Sequence, residues 1–240
     1  MQPVMILARL AWLRLWRGRT KWVTALLAIL PPCFAALLMT EKDDAVEVWQ
    51  ITLFFALRAA VLLAVAVHLA SSVGDELDSK TYTYLWSRPM RRSAVLLGKL
   101  LAIAPTVFAA FALSLTATWL VVFQDQAGAN LEWLLRGLAA ELAVVIAGAS
   151  IALATSALVP KRPLAFVLGY MMFLERLEFV PFLQQISIAY HASAISAAHP
   201  PSFVVGTATS GVIGILVLST FWLGLAIWRV ENAEYALPDG

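Results

Sequence analysis

Three ionisable side chains lie inside long apolar runs: Arg58, Glu141 and Glu175. A charge in hydrocarbon is costly, so each is a candidate for an ion, proton or substrate pathway, or for a charge pair. Counted from the ends of their runs at about 1.5 Å per residue, all three fall roughly 12–14 Å below one surface of a ~30 Å apolar core. The shared depth predicts that Arg58 pairs with Glu141 or Glu175 across helices. Glu175 also stands close to Arg176 and Glu178, which leaves open a break near Leu174 with these charges facing water. His191 and His199 are eight residues apart with no cysteine near them, and His68 sits beside Ser71 and Ser72. Neither spacing is that of a metal site, and no His-Glu-x-x-His motif occurs. The expected role of the histidines is hydrogen-bonded packing, and no metal ligand or catalytic residue is assigned.

The second stretch that could do chemistry is 71–99, SSVGDELDSKTYTYLWSRPMRRSAVLLGK. Gly74 to Thr81 comes close to a phosphate-binding loop, but Ser79 replaces the second glycine and Asp75, Glu76 and Asp78 would repel phosphate. No other segment offers a nucleotide site, so any use of ATP must come from another polypeptide. The order of charge suits a short helix instead. The three acids favour its positive N-terminal end. Leu77, Thr81, Tyr84 and Leu85 recur at i, i+4, i+7 and i+8 and share a face. Pro89 ends the helix, and Arg91 and Arg92 follow at headgroup level. The pattern predicts an amphipathic helix over 75–92 that either docks on a partner and carries force, or lies in the interface with arginines that only set topology.

The elements that must hold these residues are membrane spans. The chain has 240 residues, 61% hydrophobic and 13% charged, with mean hydropathy +0.82. A soluble domain carries about 25% charge, so the composition leaves no room for a sizeable one. Cys33 is the only cysteine, which excludes an intrachain disulfide. The basic N-terminus followed by an apolar run mimics a secretory signal, but no small-residue cleavage site follows, so the run is expected to be retained. Six runs have spanning length: 22–39, 49–73, 94–123, 134–159, 163–183 and 205–229. The third, and on its length the second, exceeds a bilayer width. Residues 1–21 read as an amphipathic helix lying in the interface. Arg9, Arg14 and Arg17 fall within an arc of roughly 140°, with Met5, Leu7, Ala8, Ala11, Trp12 and Leu15 largely opposite. Residues 184–204, weakly apolar and closed by Pro200 and Pro201, have the composition of backbone tolerated at membrane depth only against protein or a wet cavity. Gly206, Ser210 and Gly214 form a small-residue stripe, as do Gly148 and Ala152; such stripes let helices approach closely, within a bundle or between two chains.

Charge predicts the orientation. Arg9, Arg14, Arg17, Arg19 and Lys21 precede the first span, five more Lys/Arg lie in 75–99, and Lys161 and Arg162 sit in the 160–163 turn. The opposite loops, 40–48, 124–133 and 184–204, carry few. The positive-inside rule then places both termini, the 75–99 loop and the 160–163 turn in the cytoplasm.

On the run Gly-Asp-Glu-Leu-Asp-Ser-Lys-Thr, then Leu-Trp-Ser-Arg-Pro-Met-Arg-Arg, then Leu-Leu-Gly-Lys-Leu, the chain resembles the permease subunits of type-2 ABC exporters. Glu76, Thr81, Ser87, Pro89, Arg92, Gly98 and Lys99 stand at positions matching the family's pattern; Lys80 departs from it, where the family usually has glycine. The resemblance implies an all-α integral membrane protein forming a single transmembrane domain over 1–240. It implies an N-terminal interfacial helix, six transmembrane helices, a cytoplasmic coupling helix between spans 2 and 3, and re-entrant helices between spans 5 and 6. It assigns ATPase coupling to Asp75, Glu76, Leu77, Thr81, Tyr84, Leu85, Pro89 and Arg92. The expected partners are cytoplasmic ABC ATPase subunits holding ATP and Mg, a second copy of the chain or a related permease, and membrane lipids, with no nucleic acid. The expected location is the bacterial inner (cytoplasmic) membrane.

Three function classes follow. The leading one is a permease without chemistry of its own, exporting an unknown substrate. The second keeps that architecture but transmits force to an envelope or extracellular protein. The third, an intramembrane enzyme using Glu141, Glu175 or a histidine, lacks a paired-ligand motif.

Overall fold

The computed structural model describes residues 2–18, 20–42, 44–70, 91–173, 184–198 and 206–232. Every described element is helical: α1 (Gln2–Arg17), α2 (Thr20–Leu38), α3 (Ala45–Leu69), α4 (Ser93–Phe123), α5 (Leu131–Leu158), α6 (Pro163–Phe173), α7 (Ile188–Ser196) and α8 (Ala208–Asn232). Five of them, α2, α3, α4, α5 and α8, are long and apolar enough to cross a membrane. The fifth expected span, 163–183, is described only as α6. Residues 174–183, with Glu175, Arg176 and Glu178, lie outside the described residues, as does the coupling segment up to residue 90.

α5 is the hub. It packs against α3, α4, α6, α7 and α8, and 72% of its most apolar window is buried, against 17% for α2 and 22% for α8. From Ala147 to Ala157 every residue is buried, and most are Ala, Gly, Ser or Thr. Small side chains let backbones approach, which is how helices gain contact where lipid supplies no hydrophobic drive. At Gly148 a Cβ would come 2.9 Å from a terminal methyl of Leu62 on α3. One end of the α3–α5 seam is set by Gly137, against Trp49 and Leu53.

Local chemistry sets the helix ends. α3 starts at Ala45, four residues before the expected 49, because Asp44 caps it: its carboxylate accepts from the amides of Val46 (2.9 Å) and Glu47 (3.3 Å). Lys42 pairs with Glu47 across that turn. The last turn of α1 carries Arg14 and Arg17, the favourable sign at a C-terminus, and Lys21 donates to the Trp16 carbonyl (2.8 Å). α4 has 31 residues, about 46 Å at 1.5 Å per residue, so it must tilt or extend beyond a ~30 Å core. α7 has nine residues, about 13 Å. It is too short to cross and is buried along its whole length against α5 and α8.

α1 lies along the first half of α4 rather than standing apart from the bundle. Leu15 is buried and Leu7, Ala8 and Ala11 are half-buried. Met5 and Trp12, expected on the apolar face, are exposed and flank the contact, and Arg9, Arg14 and Arg17 are exposed, Arg9 at the edge of the contact with α4. The contact depends on Gly98, where a Cβ would stand 2.8 Å from the Leu7 Cβ and 3.2 Å from the Ala8 amide nitrogen. Overpacking of this kind costs about 1–3 kcal/mol. Gly98→Leu is therefore expected to speed amide hydrogen exchange across residues 4–15. Gly128→Leu, at a site with open space around it, should leave that exchange unchanged.

Candidate functional site

The segment singled out for coupling, with Asp75, Glu76, Leu77, Thr81, Tyr84, Leu85 and Pro89, lies outside the described residues; its two anchor points do not. α3 ends at Leu69 and α4 begins at Ser93, and other helices brace both ends. His68, in the last turn of α3, hydrogen-bonds Thr24 of α2 through Nε2 and Oγ1 at 2.6 Å. At the other end, one oxygen of Glu231, near the end of α8, accepts both the Ser93 hydroxyl (2.6 Å) and the Ser93 amide (3.2 Å). Glu231 thus supplies a capping acceptor to the first residue of α4 from 138 residues away. A helix N-terminus has orphan amides that must find an acceptor, and Arg92, at the N-cap position, makes no side-chain cap. Five residues on, Gly98 seats α1. The start of α4 is therefore held by both chain-terminal helices, α1 and α8.

Of the two acids expected to pair with Arg58, Glu175 lies outside the described residues, so only Glu141 can be compared. Glu141 is fully buried on α5, and neither carboxylate oxygen has a hydrogen-bond partner among the described residues. Arg58 does not reach it. Its guanidinium stands over the Phe54 ring, 4.8 Å from the centroid. On α3 the buried side is Trp49, Thr52, Leu53, Ala56 and Ala60, whereas Phe54, Phe55, Arg58 and Ala59 share the more exposed side. The depth estimate matched two residues on different faces. Arg58 also sits within a π-helical turn, Ala56–Val61, a feature common at functional sites and unannounced by the local sequence.

Gly214 meets an intrachain partner. A Cβ there would run into the imidazole of His191, and one at the neighbouring Gly211 would stand 2.7 Å from the His191 carbonyl oxygen. The stripe on α8 therefore receives α7 of the same chain. Gly206 precedes the helix, and Ser210 is exposed, its hydroxyl donating to the Thr207 carbonyl (2.7 Å). His191 Nε2 donates to the Gln185 carbonyl at 3.0 Å. Tyr170 of α6 donates to the Ile186 carbonyl at 2.9 Å. Ser187 caps α7 by accepting from the Tyr190 amide at 3.0 Å. Among the described residues no three His, Cys, Asp or Glu side chains are grouped to hold a metal.

A helical multi-pass membrane protein with a long polar stretch of sequence joining its second and third described spans is the class these observations define. Comparison with protein families places residues 18–190 within the description "ABC-2 family transporter protein". The chain belongs to that family, whose members are typically non-catalytic membrane subunits. A search of the curated proteins returned no match.

Two outcomes test the site. Caps of this type contribute about 0.5–2 kcal/mol, so Ser93→Ala and Glu231→Ala should each lower the unfolding midpoint in detergent. The double variant should lose little more than either single one, as expected for partners in one contact. Removing an unsatisfied buried polar group recovers about 1–3 kcal/mol, so Glu141→Met should hold or raise the same midpoint. A clear drop for Glu141→Met would mean that the carboxylate has a partner in the folded protein.

Proposed function

We propose that this chain is a permease subunit whose movements are driven by ATP hydrolysis in separate cytoplasmic ATPase subunits docked on the 75–92 segment. The reading is carried by the family match over residues 18–190, which includes that segment. It is supported by the bracing of both flanks, through Thr24–His68 and Ser93–Glu231, because a docking segment can move helices only if it is attached firmly to them. Glu76 and Leu85 are the proposed contacts, with Asp75, Leu77, Thr81, Tyr84, Pro89 and Arg92 shaping the docking helix. ATP and Mg belong to the partner; this chain contributes no chemistry. Two copies, or one copy and a related permease, would form the path for an exported substrate, using the lipid-facing sides of α2 and α8. The positive-inside distribution of Lys and Arg supports cytoplasmic termini in a bacterial inner membrane. The length and burial of α7 support a re-entrant segment before the last span.

The test is affinity purification of the full chain from its native host, followed by identification of bound proteins and assay of Mg-dependent ATP hydrolysis. An ATPase should co-purify in stoichiometric amount, and Glu76→Arg or Leu85→Asp should release it while helical content is retained. Recovery of no ATPase with the wild-type chain, or full retention by both variants, would overturn the reading. Stimulation of the hydrolysis by a transported compound separates export from force transmission to an envelope protein.

A further inference from the structure

α1 and the first half of α4 flank an open groove of about 540 Å³. From α4 it is lined mainly by apolar groups, among them Leu101, Pro105 and Ala109. From α1 it is lined by Arg9, Trp12 and Trp16. The two indoles pack edge to face at 5.9 Å and are 44% and 51% exposed, so they are open to whatever lies in the groove. Indoles favour the headgroup level of a bilayer. Arg9 is exposed and has no hydrogen-bond or ion-pair partner among the described residues. Residues 1–40 contain five Lys/Arg and no Asp or Glu, so no nearby acid in sequence offsets it.

We infer that this groove binds one anionic phospholipid of the leaflet in which α1 lies. Its phosphate sits on Arg9, its glycerol region lies against Trp12 and Trp16, and an acyl chain runs along Leu101 and Ala109. Charge complementarity selects the occupant. An apolar helix from a protein partner would gain nothing from a guanidinium that has no partner among the described residues, and a zwitterionic lipid would bring its own quaternary ammonium beside that guanidinium. The site stands on the groove alone and is independent of the ATPase reading.

Native mass spectrometry of the full chain in detergent, with phosphatidylglycerol and phosphatidylcholine of identical acyl chains supplied in equal amounts, tests it. The expected result is one phosphatidylglycerol retained per chain in preference to phosphatidylcholine. Arg9→Ala should weaken that retention about fivefold, the effect of one basic residue near an anionic surface. Arg17→Ala, outside the groove, should leave it unchanged. Ala109→Trp, which fills the apolar part without altering charge, should reduce retention of both lipids. Equal retention of the two lipids by the wild-type chain would overturn the site. So would unchanged binding by Arg9→Ala, or an equal loss with Arg17→Ala, which would assign the preference to diffuse surface charge. Displacement of the lipid by excess inorganic phosphate would assign Arg9 to a soluble anion instead and would also overturn it.

Discussion

Close approach to α5 is the constraint on which the rest of the bundle depends. In lipid, helices associate through packing and hydrogen bonds rather than through escape from water, so contact area must come from backbones brought near one another. The run from Ala147 to Ala157 provides that surface around nearly the whole circumference of α5. α3 can lie against Gly137 and Gly148 only because those positions carry no side chain. α8 and α7 pack on other sides of the same helix, and α7 reaches α8 at Gly211 and Gly214. A bulky residue at one of these points would displace a helix that itself supports another.

The same constraint accounts for the polar ties. Helix ends that fall near the bilayer surface must satisfy their backbone groups from within the protein or from the interface. Asp44 does this locally for α3, and Ser187 does it for α7. At the start of α4 Arg92 makes no side-chain cap, and Glu231, near the end of α8, supplies the acceptor. That choice turns a local requirement into a long-range one: the first turn of α4 and the last turn of α8 become parts of one structural unit.

The spans were legible because apolar run length is a strong signal with a simple cause. The small-residue stripes were legible for the same reason, although Gly214 could be assigned to an intrachain contact only once α7 was placed beside it. Helix starts were less legible: Asp44 reads as one acid among several in Glu41-Lys42-Asp43-Asp44, and only geometry shows that it is the cap. Of the two pairings open to Arg58, the one with Glu175 lies outside the described residues, and the one with Glu141 is not formed, for a different reason. Depth along a helix follows from counting residues, but which way a side chain faces depends on the turn. On α3 the π-helical turn at Ala56–Val61 changes the periodicity at the charged residue itself. Gly98 matched the family pattern on sequence. Its physical role, admitting the backbone of α1 against α4, required the position of α1.

These ties bear on how a push on residues 71–90 would enter the bundle. The segment is attached to α3 on one side and α4 on the other. α3's end is tied to the start of α2 through His68 and Thr24. α4's start is tied to the end of α8 through Ser93 and Glu231, and to α1 through Gly98. α2 and α8 are also the least buried spans, although α8 packs along α5 more extensively than any other helix does, and α5 is held from nearly every side. α2 and α8 are therefore the outer helices of the described bundle and α5 its centre. In a membrane protein paired with a second copy, those outer helices are the ones able to meet it.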